Sequence, residues 1–317
     1  MPIESVGSPT LWIAFIAFVF AMLALDLGVL HRRPHEVSLK ESAIWSAVWV
    51  ALSLAFNVGV YLWFGADRAL EFFTAYLLEK ALSVDNLFVF VVVFGAFAIP
   101  PIHQHRVLFW GVLGALVMRA VFIFAGAAFL QRFHWAIYVF GSILAITGVR
   151  LLLQRDHDSH PENSPLIRWL KRVLPVSHED SGGAFFLVKA GKRFVTPLFL
   201  ALVAVEVTDL IFAVDSIPAV FAVTTDPFIV FTSNIFAILG LRSLYFLLAG
   251  VLTKFVYLKV GLSFVLIFVG AKMLLMGVYK LPILVSLGVI VAILGISIVA
   301  SLVKTRGTEA APQPQDG

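Results

Sequence analysis

Glu79-Lys-Ala-Leu-Ser-Val-Asp85-Asn86 and Asp209-Leu-Ile-Phe-Ala-Val-Asp215-Ser216 each place two acids six residues apart inside an otherwise apolar run. Both runs are long enough to cross a hydrocarbon core about 30 Å thick. A charged side chain at membrane depth costs about 2.5 to 3.5 kcal/mol on insertion scales, so such residues persist where they bind, relay or pair. Here the costly pattern occurs twice. That points to an all-α transmembrane bundle with a transport site assembled from two related halves.

Composition agrees, because 61% hydrophobic and 13% charged residues in a chain of 317 are far too apolar for a soluble globular domain. The net charge of +4 is spread over short inter-helix segments rather than gathered in a stripe, which argues against a nucleic-acid partner. With no cysteine there is no disulfide, thiolate ligand or catalytic thiol. No histidine lies at depth and no serine has an evident base, so the reading is not an enzyme, and no cofactor is expected. The sequence assigns no oligomeric state.

Nine apolar segments read as spans in a single transmembrane domain: Thr10 to Leu30, Glu41 to Phe64, Leu70 to Ala98, Arg106 to Leu130, Trp135 to Leu153, Thr196 to Val223, Phe228 to Gly250, Phe255 to Gly277 and Leu281 to Val303. The first lacks a basic n-region and reads as a retained helix. Residues 304–317 read as a disordered tail. Alternating nine crossings places fifteen lysines and arginines on one side and three on the other. The positive-inside rule then puts the amino terminus outside and the carboxyl terminus in the cytoplasm.

The repeat extends beyond the acids. A shift of 130 residues carries Glu79 onto Asp209 and Asp85 onto Asp215, a shift of 123 carries Arg119 onto Arg242, and one of 122 carries Arg150 onto Lys272. Residues 70–153 and 196–277 are thus expected to form two three-helix units, joined by a cytoplasmic loop over 154–195. An odd number of crossings per unit inverts the second relative to the first.

The polar groups at depth are Glu79, Asp85, Glu206, Asp209 and Asp215, with Asn86, Ser216 and Asn234 as neutral oxygen donors. Without imidazole or thiolate, a bound metal has an all-oxygen shell, which suits manganese, magnesium or calcium. Protons and sodium fit the same oxygens. Six residues between Asp209 and Asp215 turn a regular helix by about 120° and rise about 9 Å, which separates them. Pro218 removes a donor, so a break with free carbonyls is expected near Val214 to Ser216.

The acids also have a structural reading, as partners of Lys80, Arg119 and Arg242. Glu79 with Arg242 and Asp209 with Arg119 are the expected cross-repeat pairs. Asp26, close to Arg32 and Arg33, reads as an interfacial ion pair at least as well as a ligand. The run from Arg155 to Glu162 reads as a solvated loop.

Glu79-Lys-Ala-Leu-Ser-Val-Asp-Asn86, Val205-Glu-Val-Thr-Asp-Leu-Ile-Phe-Ala-Val-Asp-Ser-Ile-Pro-Ala219 and Ser233-Asn-Ile-Phe-Ala-Ile-Leu-Gly-Leu-Arg242 resemble the TerC family, in its Alx-like bacterial branch. The resemblance covers nearly the whole chain. It implies a bacterial inner-membrane protein linked to manganese efflux and, in some members, to tellurite resistance. It also implies kinship with LysE-type exporters built from inverted three-helix repeats. Carried over by position, the candidate metal-site residues are Glu79, Asp85, Asn86, Glu206, Asp209, Asp215 and Ser216, and the charge count of the residues themselves makes Lys80, Arg119 and Arg242 their balancing charges. The partners implied are the manganese ion and the bilayer; the crowding of carboxylates adds protons as an expected counter-ion, displaced when metal enters. The competing readings are a membrane scaffold or assembly factor held by intramembrane ion pairs, and a tellurite-resistance exporter.

Overall fold

The computed structural model describes residues 5–28, 38–133, 135–153, 175–176, 182–189, 191–249, 256–279 and 281–309. Ten helices and one hairpin follow in order: α1 (Pro9–Gly28), α2 (Leu39–Phe64), α3 (Ala66–Ala96), α4 (Pro101–Arg132), α5 (Ala136–Leu153), β1 (Phe186–Lys189), β2 (Lys192–Val195), α6 (Pro197–Phe221), α7 (Pro227–Leu239), α8 (Leu241–Leu248), α9 (Leu258–Leu275) and α10 (Ile283–Glu309). Helix starts follow local chemistry. Ser38 Oγ accepts from Glu41 N at 3.2 Å to cap α2, and Thr196 caps α6 ahead of Pro197. Asp226 caps α7, accepting from Phe228 N at 2.9 Å while also holding Ser5 Oγ at 3.0 Å and Val6 N at 2.8 Å.

Among the described residues six helices, α2, α4, α5, α6, α9 and α10, are long and apolar enough to cross a membrane, and α7 with α8 makes a seventh if the bent pair counts as one span. Nine spans were expected. The shortfall falls on α1, whose apolar part Pro9–Ala24 is short, and on α3, which is 31 residues long but carries Glu79, Lys80 and Asp85 mid-helix. Only 17% of the apolar windows of α2 and α10 are buried, so these helices turn aliphatic side chains outward. That pattern suits a bilayer and not water.

Packing joins the two expected units. Helix α3 packs on α7 while α6 packs on α4; α3 also meets α6, and α5 lies along α9. The α5–α9 seam is backbone-close. A Cβ on Gly270 would come within 2.6 Å of Ala145 N, and one on Gly148 within 2.7 Å of Ser263 O. Small residues let helices approach where lipid supplies no hydrophobic drive. A second core gathers Phe15, Phe56, Phe72, Phe228 and Phe236 among α1, α2, α3 and α7, with the Phe56 and Phe236 rings 5.0 Å apart.

One expectation is corrected. Helix α6 runs unbroken through Val214 to Ser216 with Pro218 inside it. Pro218 sits one turn from the helix end at Phe221, so its missing donor frees a single carbonyl and the last turn absorbs the ring. The bend lies instead at Gly240, where α7 and α8 meet at 40°. Within the 154–195 connection, β1 and β2 pair antiparallel from Phe186 opposite Val195 to Lys189 opposite Lys192. Thr196 Oγ1 donates to Ala184 O at 2.9 Å, and Arg106 Nη1 donates to Gly183 O at 2.7 Å, tying the hairpin to α6 and α4.

Candidate cation site

Arg119, in α4, is fully buried, and a buried guanidinium requires partners. Four side chains supply them. Nη1 meets Glu79 Oε1 of α3, while Nη2 and Nε reach Asp209 Oδ1 and Oδ2 of α6 at 3.0 and 3.4 Å. The two-pronged approach to Asp209 matches the planar donor fork to a carboxylate. Nη1 also donates to Ser216 Oγ at 3.5 Å and Asn234 Oδ1 at 3.3 Å. One cation therefore ties α3, α4, α6 and α7 together, and two carboxylates against it leave a net negative charge. Glu79 Oε2 and Asn234 Nδ2 are buried with no hydrogen-bond partner among the described residues.

Asp215 lies elsewhere. The unbroken helix turns it about 120° away from Asp209, as six residues require. Thr147 Oγ1 of α5 donates to Asp215 Oδ1 at 3.0 Å. Together they line a cavity of about 70 Å³ with Asn86, Ser216, Leu82, Leu151, Phe212, Leu262 and Leu266. Asn86 and Ser216 are buried, and Ser216 borders both the cavity and the Arg119 centre. The close α5–α9 seam holds Thr147 in place against α6. Such a niche, with one carboxylate and several neutral oxygens, has room for a partly hydrated ion.

The remaining expected residues scatter. Glu206 is half-buried against Gly114, where any Cβ would overlap its carboxylate. Asp85 lies on α3 one residue before Asn86, and its side chain is outside the described residues, as is that of Asp26. Lys80 Nζ donates to Ala237 O at 3.1 Å, meeting the carbonyl end of α7 beside the Gly240 bend. A Cβ on Gly240 would come within 2.8 Å of that ammonium. Arg242 is buried at the start of α8. Of the two expected pairs, Asp209 with Arg119 forms, and Glu79 reaches the same guanidinium. Among the described residues no three acidic or histidine side chains converge as a metal cluster. The acids divide into an ion-paired centre and an open niche. Thr147 was not anticipated, since a lone threonine in an apolar helix carries no signal of its own. Lys272 near the end of α9 is also buried, which narrows the acid excess read from the sequence.

A polytopic helical membrane protein with a buried ion-paired centre and an adjoining polar niche is the class these features define. Residues 64–309 match the integral membrane protein TerC family, and the chain belongs to that family. The uncharacterized membrane protein STKORF319 of Myxococcus xanthus is 61% identical over 302 residues, 95% of each chain. Alx of Escherichia coli (strain K12), provisionally described as a membrane-bound redox modulator, is 47% identical over 301 residues, covering 92% of this chain and 94% of its own. Alx of Salmonella typhi, with the same description, is 48% identical over 306 residues, 93% of this chain and 95% of its own. No solved structure matches.

Proposed function

We propose that this chain is a secondary transporter that exports a hard divalent cation, manganese foremost, from the cytoplasm in exchange for protons. The observation that carries the reading is the niche of Asp215, Thr147, Asn86 and Ser216, an all-oxygen donor set at membrane depth beside a net-negative ion centre. Reciprocal packing of α3 on α7 and α6 on α4 supports an inverted pair of three-helix units. The fifteen-to-three division of basic residues supports a bacterial inner-membrane protein with the amino terminus outside and the carboxyl terminus in the cytoplasm.

The test is a comparison of Asp85→Asn and Asp215→Asn with Asp67→Asn, an exposed acid at the start of α3. In cells lacking their own exporter, the first two variants accumulate manganese under challenge while reaching the membrane at parental levels, and the third exports like the parent. Export by both aspartate variants at the parental rate overturns the reading.

One observation favours a scaffold instead. Arg119 joins four helices, as a purely structural knot would. Asp215 is outside that knot, so its substitution separates the two: a scaffold tolerates Asp215→Asn, an exporter does not. The redox description of the Alx relatives transfers less readily, because a chain without cysteine offers no thiol of its own.

A further inference from the structure

Helix α10 is fastened to α9 on one side and leaves a groove against α3 on the other. Toward α9, Tyr257 N donates to Ser301 Oγ at 2.9 Å, and a Cβ on Gly261 would overlap Ser297 Oγ. Ser297 and Ser301 are one turn apart, so α10 cannot swing onto α3 without parting from α9. The groove is therefore built in. Its deep part is a cavity of about 440 Å³ walled by Leu77 and Val84 of α3, Leu258 of α9 and Val291, Gly295 and Ile298 of α10. Those three α10 positions, four and seven residues along from the first, form one stripe. Among the described residues that line it only Lys80 has a polar side chain, and its ammonium donates to Ala237 O. The wall is hydrocarbon, which gives water no partner. At Gly295 the cavity continues into a second of about 590 Å³, bordered by Tyr257, Val299, Val303 and Lys304. There Lys304 Nζ lies 5.0 Å from the Tyr257 ring centre, an ammonium and an aromatic ring at the mouth of an apolar slot.

We propose that this groove holds one acyl chain of an anionic phospholipid whose phosphate meets Lys304 beside Tyr257. Length, lining and charge each point to that occupant. From Val291 to Lys304 the helix rises about 20 Å, against about 15 Å for half of a hydrocarbon core, so a chain lying there reaches from the interface to the midplane. A partner helix, about 10 Å across over the same length, is too thick for cavities of this size. No acid is among the described residues that line either cavity, and Lys304 stands where a phosphate would lie. Aromatic and basic side chains gather at that depth because headgroups do. The lipid completes the packing of α3, the helix that carries Glu79, against α10. With the carboxyl terminus in the cytoplasm the lipid belongs to the inner leaflet. That choice of leaflet rests on the orientation proposed above; the groove does not.

The test is lipid binding to the purified, delipidated full chain, read by native mass spectrometry with phosphatidylglycerol and phosphatidylcholine of the same acyl chains. The parent is expected to bind one phosphatidylglycerol at least about fivefold more tightly than phosphatidylcholine, the scale of one basic residue near a headgroup. Lys304→Gln loses that preference and Lys304→Arg keeps it, as does Lys192→Gln, which removes an exposed charge from the hairpin instead. A Cβ on Gly295 meets nothing within 4 Å, so Gly295→Leu fills the groove without a clash at its first carbon. It is expected to weaken both lipids by about tenfold or more. Gly59→Leu, the same exchange at an equally open place on α2, leaves them at the parental level. Parental binding by Gly295→Leu overturns the groove as the site, and Ile298→Trp, a second filling variant, decides if the first does not accumulate. A parent without the preference, or a Lys304→Gln variant that retains it, overturns the anionic headgroup. No manganese measurement enters, so failure here leaves the export reading where it stands.

Discussion

Glu79 and Asp209 share one guanidinium, whereas Asp215, on the same helix as Asp209, faces a cavity with a hydroxyl donor and no cation among the described residues. The difference is set by helix geometry, not by residue type. Six residues along α6 point two identical carboxylates at different neighbours, and the neighbours decide what each can do. A carboxylate already answered by a fixed charge resists a mobile one. A carboxylate answered only by hydroxyl and amide groups keeps its field for an incoming ion.

Deleting the fixed cation tests the first half of this contrast. Arg119→Ala leaves two buried acids facing each other, and breaking a buried pair costs about 3 to 5 kcal/mol. We expect loss of the folded protein from membranes, scored by accumulation and by melting in detergent. Arg119→Lys, which keeps charge but not the fork, recovers part of it.

The second half is tested by Asp215→Asn. Attraction between a carboxylate and a dication at an effective dielectric near 20 far exceeds the roughly 1.4 kcal/mol that a decade requires, so manganese affinity falls by about 100-fold or more. Titration of the purified protein reads this, and its melting temperature stays close to that of the parent. Parental affinity in this variant would move the cation elsewhere.

A smaller effect is expected where the scaffold holds the niche. Gly270→Ala forces α9 away from Ala145 and Gly141, an overpacking that costs about 1 to 3 kcal/mol and weakens manganese binding by displacing α5. The smallest is Thr147→Val, which deletes one hydrogen bond to Asp215, about 1 kcal/mol, or roughly fivefold in affinity by titration. An unchanged affinity would reduce Thr147 to a packing residue.

The acids, the helical bundle and the pairing of Asp209 with Arg119 were legible in the sequence because charge in an apolar run is costly and so informative. Rise and turn separate Asp209 from Asp215 on a regular helix, but the break expected beside Pro218 kept both in one expected metal site. What failed was the inference from Pro218, because a proline's effect depends on its distance from the helix end, and the apolar run continues to Val223, past the end of the helix at Phe221. The bend at Gly240 had no local signal stronger than a glycine. It becomes intelligible only with Lys80, 160 positions earlier, lying against it. Thr147 and the hairpin at 186–195 were hidden for the same reason: each is defined by a partner on another element, Asp215 in one case and the starts of α4 and α6 in the other.

The cap of α7 has a consequence for how the chain is made. Asp226 holds Ser5 and Val6 as well as the first turn of its own helix, across a separation of more than 200 residues. During synthesis the amino-terminal segment leaves the ribosome long before its anchor exists. Ser5 and Val6 thus gain this anchor only after more than 200 further residues have been made, so the start of α1 is fastened to α7 late in synthesis.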